Sequence, residues 1–261
     1  MTHPHDEQHA RGVVFEAASV HVDDPAAGER PGTTARRAIL TDVTCTLTEP
    51  TLSVVGANGS GKSTLLQLIN GLVPVDAGRV LVDGLDVAAH GREVRRRVGF
   101  VFTDPGAQLV MPTPLEDVEL SLKRTVRNRQ ERRERALAVL DELGVADLAE
   151  RSVYELSGGQ RQLVALAAVL AVDPAVLVLD EPTTLLDLAN RERLREVLAD
   201  LVARRGVRTI VSTHDLEVAA DAQRTLLIHE GRLHADGTPA EVVATYRDLV
   251  TRARGRGGAP A

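Results

Sequence analysis

The sequence is poor in aromatic residues and in cysteine, and each shortage excludes a class of function. Only 2% of the 261 residues are aromatic and none is tryptophan, which leaves little for stacking on nucleic-acid bases or for an aromatic belt at a membrane surface. A single cysteine, Cys45, cannot form an internal disulfide, as is usual in a reducing compartment. The formal net charge of −6 also argues against a general polyanion binder.

Long apolar runs are missing as well. The most apolar stretch, residues 163–179, is interrupted by Asp173 and Pro174, so we expect no membrane-spanning helix. The first residues, MTHPHDEQHARG, have no apolar signal core. From these shortages we expect a cytoplasmic protein. Hydrophobic residues nevertheless make up 43% of the chain, which is enough for a sizeable core.

Between two polar ends, apolar segments rich in β-branched residues alternate with helical patterns, which indicates an α/β fold with a largely parallel sheet. A Pro/Gly/Ala-rich loop is predicted over residues 23–34, and a helical subdomain over about residues 104–157. Strands are predicted at residues 13–22, 38–47, 52–55, 79–82, 98–102, 175–179 and 208–212, and helices at residues 61–70 and 190–204. We expect a disordered tail over residues 1–12, one folded domain over residues 13–247 and a flexible tail over residues 248–261.

Only two of the 31 basic residues are lysines, Lys62 and Lys123, and Lys62 lies in a phosphate-binding pattern. Residues 56–63 read Gly-Ala-Asn-Gly-Ser-Gly-Lys-Ser and match GxxxxGK[ST] at every fixed position. An apolar strand precedes them and a helical pattern follows, the context in which loop amides and a helix N-terminus hold phosphate. Lys62 is expected to reach the β- and γ-phosphates of a nucleotide, and Ser63 to bind Mg²⁺. The nucleotide-binding residues predicted in this loop are Gly56, Asn58, Gly59, Ser60, Gly61, Lys62, Ser63 and Thr64.

An acidic pair, Asp180 and Glu181, supplies the second half of such a site. The pair follows the apolar strand predicted at residues 175–179, which delivers both side chains to the carboxyl end of that strand. Asp180 is expected to hold the hydration shell of Mg²⁺, and Glu181 to orient or deprotonate the attacking water.

Residues 156–160, Leu-Ser-Gly-Gly-Gln, resemble the signature sequence of ATP-binding-cassette (ABC) ATPases. Ser157 and two glycines open a predicted helix, whose free N-terminal amides can bind an anion. Two further segments agree with that family in the correct order: residues 184–187, which end at Asp187, resemble its D-loop, and residues 210–215 resemble its switch strand with His214. With five motifs in order, the sequence is identified as a member of this family over roughly residues 13–243.

The resemblance implies a phosphate-loop NTPase core with a parallel sheet, an N-terminal antiparallel β subdomain and a helical subdomain. It also implies two cassettes facing each other head to tail, with ATP held by the phosphate loop of one and capped by the signature sequence of the other. The implied catalytic residues are Lys62, Glu181 and His214, which contacts the γ-phosphate. The residues implied at the facing surface are Ser157, Gly158, Gly159, Gln160 and Asp187.

Some loop segments of the sequence resemble one particular group within this family. Residues 104–113 and the Glu-Asp-Val at residues 116–118 look like the energy-coupling-factor group. Residues 103–108, together with residues 182–187, are more similar to its biotin and cobalt branch. That resemblance implies ATP-driven uptake of a vitamin or metal ion through a coupling membrane subunit and a substrate-binding membrane subunit. It further implies a second ABC ATPase as partner, a position at the inner face of the membrane, and no nucleic-acid partner.

Two departures from the family pattern keep other functions open. Thr103 stands where the family usually has a glutamine, with Gln108 five residues later, and the first strand offers His21 where the family usually has an aromatic residue that stacks on adenine. The Thr103 substitution keeps open a regulatory cassette that binds ATP without hydrolysing it in a cycle. Independently of these departures, a soluble cassette acting on DNA or the ribosome is the rival function. The DNA-repair type carries a long coiled coil, for which the segment between Lys62 and Ser157 is too short. The ribosome-acting type carries two cassettes, whereas this chain has one set of motifs.

Overall fold

The computed structural model describes residues 12–24 and 35–256. Most of the predicted N-terminal tail and most of the loop predicted over residues 23–34 therefore lie outside the described residues. The strands are β1 (Val13–Asp24), β2 (Ala35–Leu47), β3 (Thr51–Val55), β4 (Ala77–Val82), β5 (Leu85–Asp86), β6 (Val98–Val101), β7 (Val176–Asp180), β8 (Arg208–Ser212), β9 (Arg224–His229) and β10 (Arg232–Gly237). The α-helices are α1 (Lys62–Asn70), α2 (Val87–Arg97), α3 (Pro114–Leu122), α4 (Arg129–Glu142), α5 (Gly158–Leu170), α6 (Leu188–Asp200), α7 (Leu216–Ala220) and α8 (Pro239–Arg256).

The described chain forms two compact units, and the first combines the residues up to Val94 with those from Ser212 onward. Its antiparallel sheet has four strands in the order β2–β1–β4–β5. A further group of strands in this unit runs β10–β9–β3, with β9 parallel to β3 and antiparallel to β10. The N-terminal antiparallel β subdomain expected from the family resemblance is therefore present.

The second unit extends from Arg95 to Val211 and contains strands in the order β8–β7–β6. Strands β6 and β7 are parallel, and every residue of both is buried. Burial on both faces explains why these strands are near-continuous apolar runs in the sequence rather than alternating ones. Helices α3 and α4 lie in the segment predicted as a helical subdomain, and α5 begins directly after it, at the signature segment. The predicted α/β fold is confirmed.

Helix α1 ends where its sequence predicts. Gly71 adopts a left-handed backbone with φ of 64° and lies just after the last helical residue. The N–H of Gly71 donates to Leu68 O at 3.2 Å, and that of Leu72 donates to Gln67 O at 3.0 Å. These bonds satisfy carbonyls that the helix end leaves open, as a C-terminal glycine commonly does.

The flexible tail expected over residues 248–261 is wrong for its first part, because helix α8 continues to Arg256. Val242 belongs to a buried cluster with Val55, Ala219 and Leu227, and Tyr246 and Leu249 pack against that cluster. The spacing of residues 242, 246 and 249 places these side chains on one helical face. Within the described residues, no helix combines the length and the apolar character that crossing a bilayer requires.

Candidate nucleotide-binding site

The phosphate-binding pattern forms the turn between β3 and α1 and depends on its glycines. Gly56, Gly59 and Gly61 have φ values of 151°, 76° and 106°, a backbone that side chains rarely allow. A Cβ on Gly56 would lie 2.2 Å from Ile228 O, and one on Gly61 would lie 2.8 Å from Leu40 Cδ2. Both glycines are therefore needed for backbone conformation and for close packing.

Lys62 is buried, with only 5% of its surface exposed. Its Nζ atom donates to Gly56 O at 3.0 Å and to Ala57 O at 3.2 Å, so the ammonium group is held inside the loop. Burial of a charge costs solvation energy, and an anionic ligand in contact with that charge offsets the cost. The loop is therefore suited to bind phosphate oxygens next to Lys62.

The start of helix α1 adds a second source of positive potential. Gly61 is the residue before the helix, no side chain in the described part of the chain caps it, and the first turn has no acidic residue. The N-terminus of the helix is the positive end of its dipole, which favours an anionic ligand at this point. The predicted ligand Ser63 is exposed, Thr64 is half-buried in the same turn, and Asn58 is exposed in the loop.

His214 belongs to the same compact unit as the phosphate loop. The N–H of Thr213 donates to Val54 O at 3.0 Å, which places the exposed His214 beside the end of β3, where the loop begins. The N–H of Asp215 donates to Thr213 Oγ1 at 2.9 Å, and Asp215 caps helix α7. The structure therefore brings two predicted site elements, the loop and His214, to one end of β3.

Asp180 is the last residue of strand β7 in the second unit, and Glu181 follows it directly. Asp180 is 5% exposed, and Glu181 has a φ of 50°, a left-handed backbone that is uncommon outside glycine. The N–H of Thr184 donates to Glu181 O at 3.2 Å, and its hydroxyl donates to Glu181 Oε2 at 3.4 Å. Residues held in such conformations cluster at functional sites.

Ser63, in the first unit, and Asp180, in the second, are the two residues expected to bind magnesium, and the side chain of each suits that ion. One supplies a hydroxyl and the other a carboxylate, both hard oxygen donors of the kind that Mg²⁺ prefers. Across the described residues there is no cluster of three or more His, Cys, Asp or Glu side chains able to hold a metal. Mg²⁺ is usually held by one or two protein oxygens together with substrate phosphates and water, so neither residue needs such a cluster around it.

The signature segment opens helix α5 as predicted. Ser157 lies just before the helix, and its Oγ accepts from the N–H of Gln160 at 3.2 Å. In return Gln160 Oε1 accepts from the N–H of Ser157 at 2.9 Å, which completes a capping box. Gly158 and Gly159 form the first helical turn, where backbone amides face outward along the helix axis.

Asp187 lies just before helix α6 and caps it, and Asn190 is its partner. The Oδ1 atom of Asp187 accepts from the backbone N–H of Asn190 at 2.9 Å and from its Nδ2 at 2.8 Å. Sequence reasoning missed Asn190, although an Asp directly before a helical pattern is a signal for the start of a helix. The side chain of Asn190 also lies against Gly159.

Two residues considered with the departures from the family pattern, Gln108 and His21, form hydrogen bonds. Gln108 accepts from the N–H of Phe102 at 3.3 Å and donates to Ala165 O at 3.4 Å, so its amide connects the end of β6 with α5. The backbone N–H of His21 donates to Asp76 Oδ2 at 2.6 Å. Arg36 donates to the other oxygen of Asp76, and this hydrogen bond, with that from His21, lowers the pKa of Asp76.

Comparisons with known proteins agree with these features. A family model described as ABC transporter matches residues 40–184. The biotin transport ATP-binding protein BioM of Rhizobium etli is 43% identical over 82% of this chain and 93% of its own length. The energy-coupling factor transporter ATP-binding protein EcfA2 of Symbiobacterium thermophilum is 40% identical over 91% of this chain and 82% of its own length.

A solved structure shares the fold. It is the dimeric structure of an ATP-binding cassette, MJ0796, in a post-hydrolysis state bound to ADP and Pi. It aligns with a TM-score of 0.76 and 30% identity over 87% of this chain and 98% of that chain.

Proposed function

Because the chain belongs to the ABC transporter family, it is an ATP-binding-cassette ATPase, and we propose that it powers uptake of a vitamin or metal ion through a separate membrane complex. The observation that carries the ATPase part of this proposal is the buried Lys62 in a glycine loop at the start of α1. The transport part rests on the relatives that are named for transport. Biotin is the first candidate cargo, because a relative 43% identical over most of its length is named for its transport. Cobalt is the second, because residues 182–187 are similar to the biotin and cobalt branch.

ATP is held by the phosphate loop, with Lys62 on the β- and γ-phosphates and the amides of α1 around them. Ser63 and Asp180 would ligate Mg²⁺, which supplies neutralisation of the phosphate charge. Glu181 orients a water and accepts its proton as the water oxygen bonds to the γ-phosphorus and the bond to ADP breaks. Catalysis is thus mostly positioning of the water and the phosphates.

Two cassettes, either two copies of this chain or this chain and a paralogue, close on ATP head to tail. Ser157 and Gly159 of one cap the γ-phosphate held by the other, with Asp187 at the same interface. The dimeric cassette solved with ADP and Pi supports this arrangement. Hydrolysis removes the γ-phosphate contacts that join the two cassettes, and the cassettes then separate.

The second unit offers a surface for a membrane partner. Val110 and Tyr154 are 69% and 87% exposed, an unusual degree for large apolar and aromatic side chains. They line a cavity of about 170 Å³ together with Met111, Pro112 and Arg161. We place the contact with the coupling membrane subunit here, which makes the protein peripheral on the inner face of the membrane.

The alternative of a soluble cassette acting on DNA or the ribosome has no support from the relatives described above. One experiment separates the two functions: the tagged chain is expressed with the membrane-protein genes beside its own and purified from solubilised membranes. Membrane subunits should co-purify, and uptake of labelled biotin or cobalt into cells should require Glu181. Recovery of the chain with ribosomes or DNA, and never with membrane subunits, would refute the transport function.

A further inference from the structure

The turn between β9 and β10 lies against the phosphate loop. His229 pairs with Arg232, so Glu230 and Gly231 alone form the turn. Their φ values of 50° and 73° are both left-handed, as a two-residue type I′ hairpin turn requires. In such a turn the backbone N–H of the second turn residue makes no hydrogen bond within the hairpin, so it can donate to an acceptor outside the hairpin.

Here that amide binds the phosphate loop. The N–H of Gly231 donates to Ser60 O at 3.0 Å, and Gly231 O accepts from the N–H of Thr41 at 2.8 Å. The carbonyl and the N–H of one trans peptide point in opposite directions. Because the hairpin holds the Ser60 carbonyl, the N–H of Gly61 in the same peptide points away from the hairpin.

The hairpin also fits the loop closely at a second point. Ile228, near the end of β9, presents its carbonyl oxygen so close to Gly56 that a Cβ there would lie 2.2 Å away. On the other side of the turn, a Cβ on Gly231 would lie 2.5 Å from Ile39 O in β2. The turn is thus fixed between β2 and the phosphate loop, with no room for a side chain at Gly231.

We propose that Gly231 is a positioning residue of the ATP site, which acts through Ser60 to aim the N–H of Gly61 at the nucleotide phosphates. This inference rests on the proposed ATPase function. Gly231 touches no nucleotide itself; it sets the orientation of one peptide in the loop. A side chain there would displace the turn, weaken the hydrogen bond to Ser60 and release that peptide.

The chain contains a matched control in the turn between β4 and β5. Val82 pairs with Leu85, and the two turn residues, Asp83 and Gly84, have φ values of 47° and 78°. A Cβ on Gly84 would meet no described atom within 4 Å. The substitution G84A therefore imposes the same left-handed strain as G231A, but no contact with β2.

The test compares ATP affinity and turnover in wild type, G231A and G84A. We expect G231A to raise the Kd and the KM for ATP about tenfold, the effect of one lost hydrogen bond to a charged group. Turnover at saturating ATP should change less than about twofold, since Glu181 is untouched, and G84A should match wild type. If G231A binds ATP as tightly as G84A does, the proposal is wrong.

A second measurement decides the matter if G231A does not fold. Amide hydrogen exchange in the wild type should slow at both Gly231 and Gly61 when ADP is added, because the ligand tightens the peptide that Gly231 holds. Slower exchange at Gly61 with no change at Gly231 would overturn the proposal. If the wild type binds neither ATP nor ADP, the proposed function fails as well, whereas normal wild-type binding with an unaffected G231A refutes only the role of Gly231.

Discussion

Asn190 lies against the backbone of Gly159, so closely that a Cβ on the glycine would stand 2.7 Å from Asn190 Cγ. The same side chain donates to Asp187 Oδ1 at 2.8 Å. One amide therefore connects the residue that caps α6 with the first turn of α5. These two segments resemble the D-loop and the signature sequence, which we propose to lie at the interface with the second cassette, so their packing would couple two parts of that interface.

This contact predicts a rescue between two substitutions. G159A should destabilise the protein by about 1–3 kcal/mol, because the new methyl group collides with Asn190. Adding N190A should recover part of that loss, although N190A alone costs about 1 kcal/mol through the hydrogen bond to Asp187. Urea unfolding of wild type, both single variants and the double variant measures the coupling.

Gly158 provides the control for this rescue. A Cβ there would meet Leu185 O at 3.3 Å rather than Asn190, so N190A should not restore the stability of G158A. Equal effects of N190A on G158A and G159A, or simple additivity of G159A and N190A, would show that the contact does not couple the two segments.

Substituting each of the two lysines with alanine should affect ATP binding differently. K62A removes the buried ammonium group from the loop and should weaken ATP binding about ten- to hundredfold, the range for a charge-assisted contact to phosphate. K123A removes an exposed charge at the end of α3 and should leave affinity unchanged. Calorimetric titration with ATP measures both. An unchanged affinity in K62A would contradict the phosphate-loop assignment.

Asp117 predicts a pH dependence of stability. It is 4% exposed, and its Oδ2 accepts from the N–H groups of Val110 and Met111 at 2.8 and 2.9 Å. Burial raises the pKa of Asp117, although these two hydrogen bonds oppose the rise. Its stabilising contribution is therefore full below the pKa of an unfolded aspartate, about 3.9, and is lost as the pH rises through the higher folded value.

The substitution D117N tests whether the contribution of Asp117 to stability falls as the pH rises. Asparagine keeps an oxygen that can accept both backbone hydrogen bonds but carries no charge. The free energy of unfolding of wild type minus that of D117N should fall as the pH rises from about 4, as measured by urea unfolding at several pH values. A difference that rises with pH, or does not vary, would mean that the folded pKa of Asp117 is not raised.

Several elements were predictable because their causes lie within a few consecutive residues. The phosphate loop, the glycine that ends α1 and the fully buried β7 each follow from a continuous stretch of sequence. The capping box of Ser157 and Gln160 is likewise local, since the two residues are three positions apart.

The rest depends on residues far apart in the chain. Residues 248–256 contain several arginines and a glycine, a composition typical of a tail, but helix α8 is held through Val242 and Leu249 against Val55 and Leu227. The contact of Gly231 with Ser60 joins segments 171 positions apart in sequence, and no local pattern signals it. The extent of α8 and the contact of Gly231 depend on packing between segments far apart in the chain. A single sequence does not show which distant segments pack together.

The most direct test of the account is hydrolysis and binding of Mg·ATP by wild type and E181Q. The wild type should release phosphate, whereas E181Q should bind ATP with a similar Kd, show no turnover and form a longer-lived ATP-dependent dimer, because only the group that orients and deprotonates the water is lost. Hydrolysis by E181Q at the wild-type rate would contradict the catalytic role of Glu181, and a wild type that neither binds nor hydrolyses ATP would contradict the account as a whole.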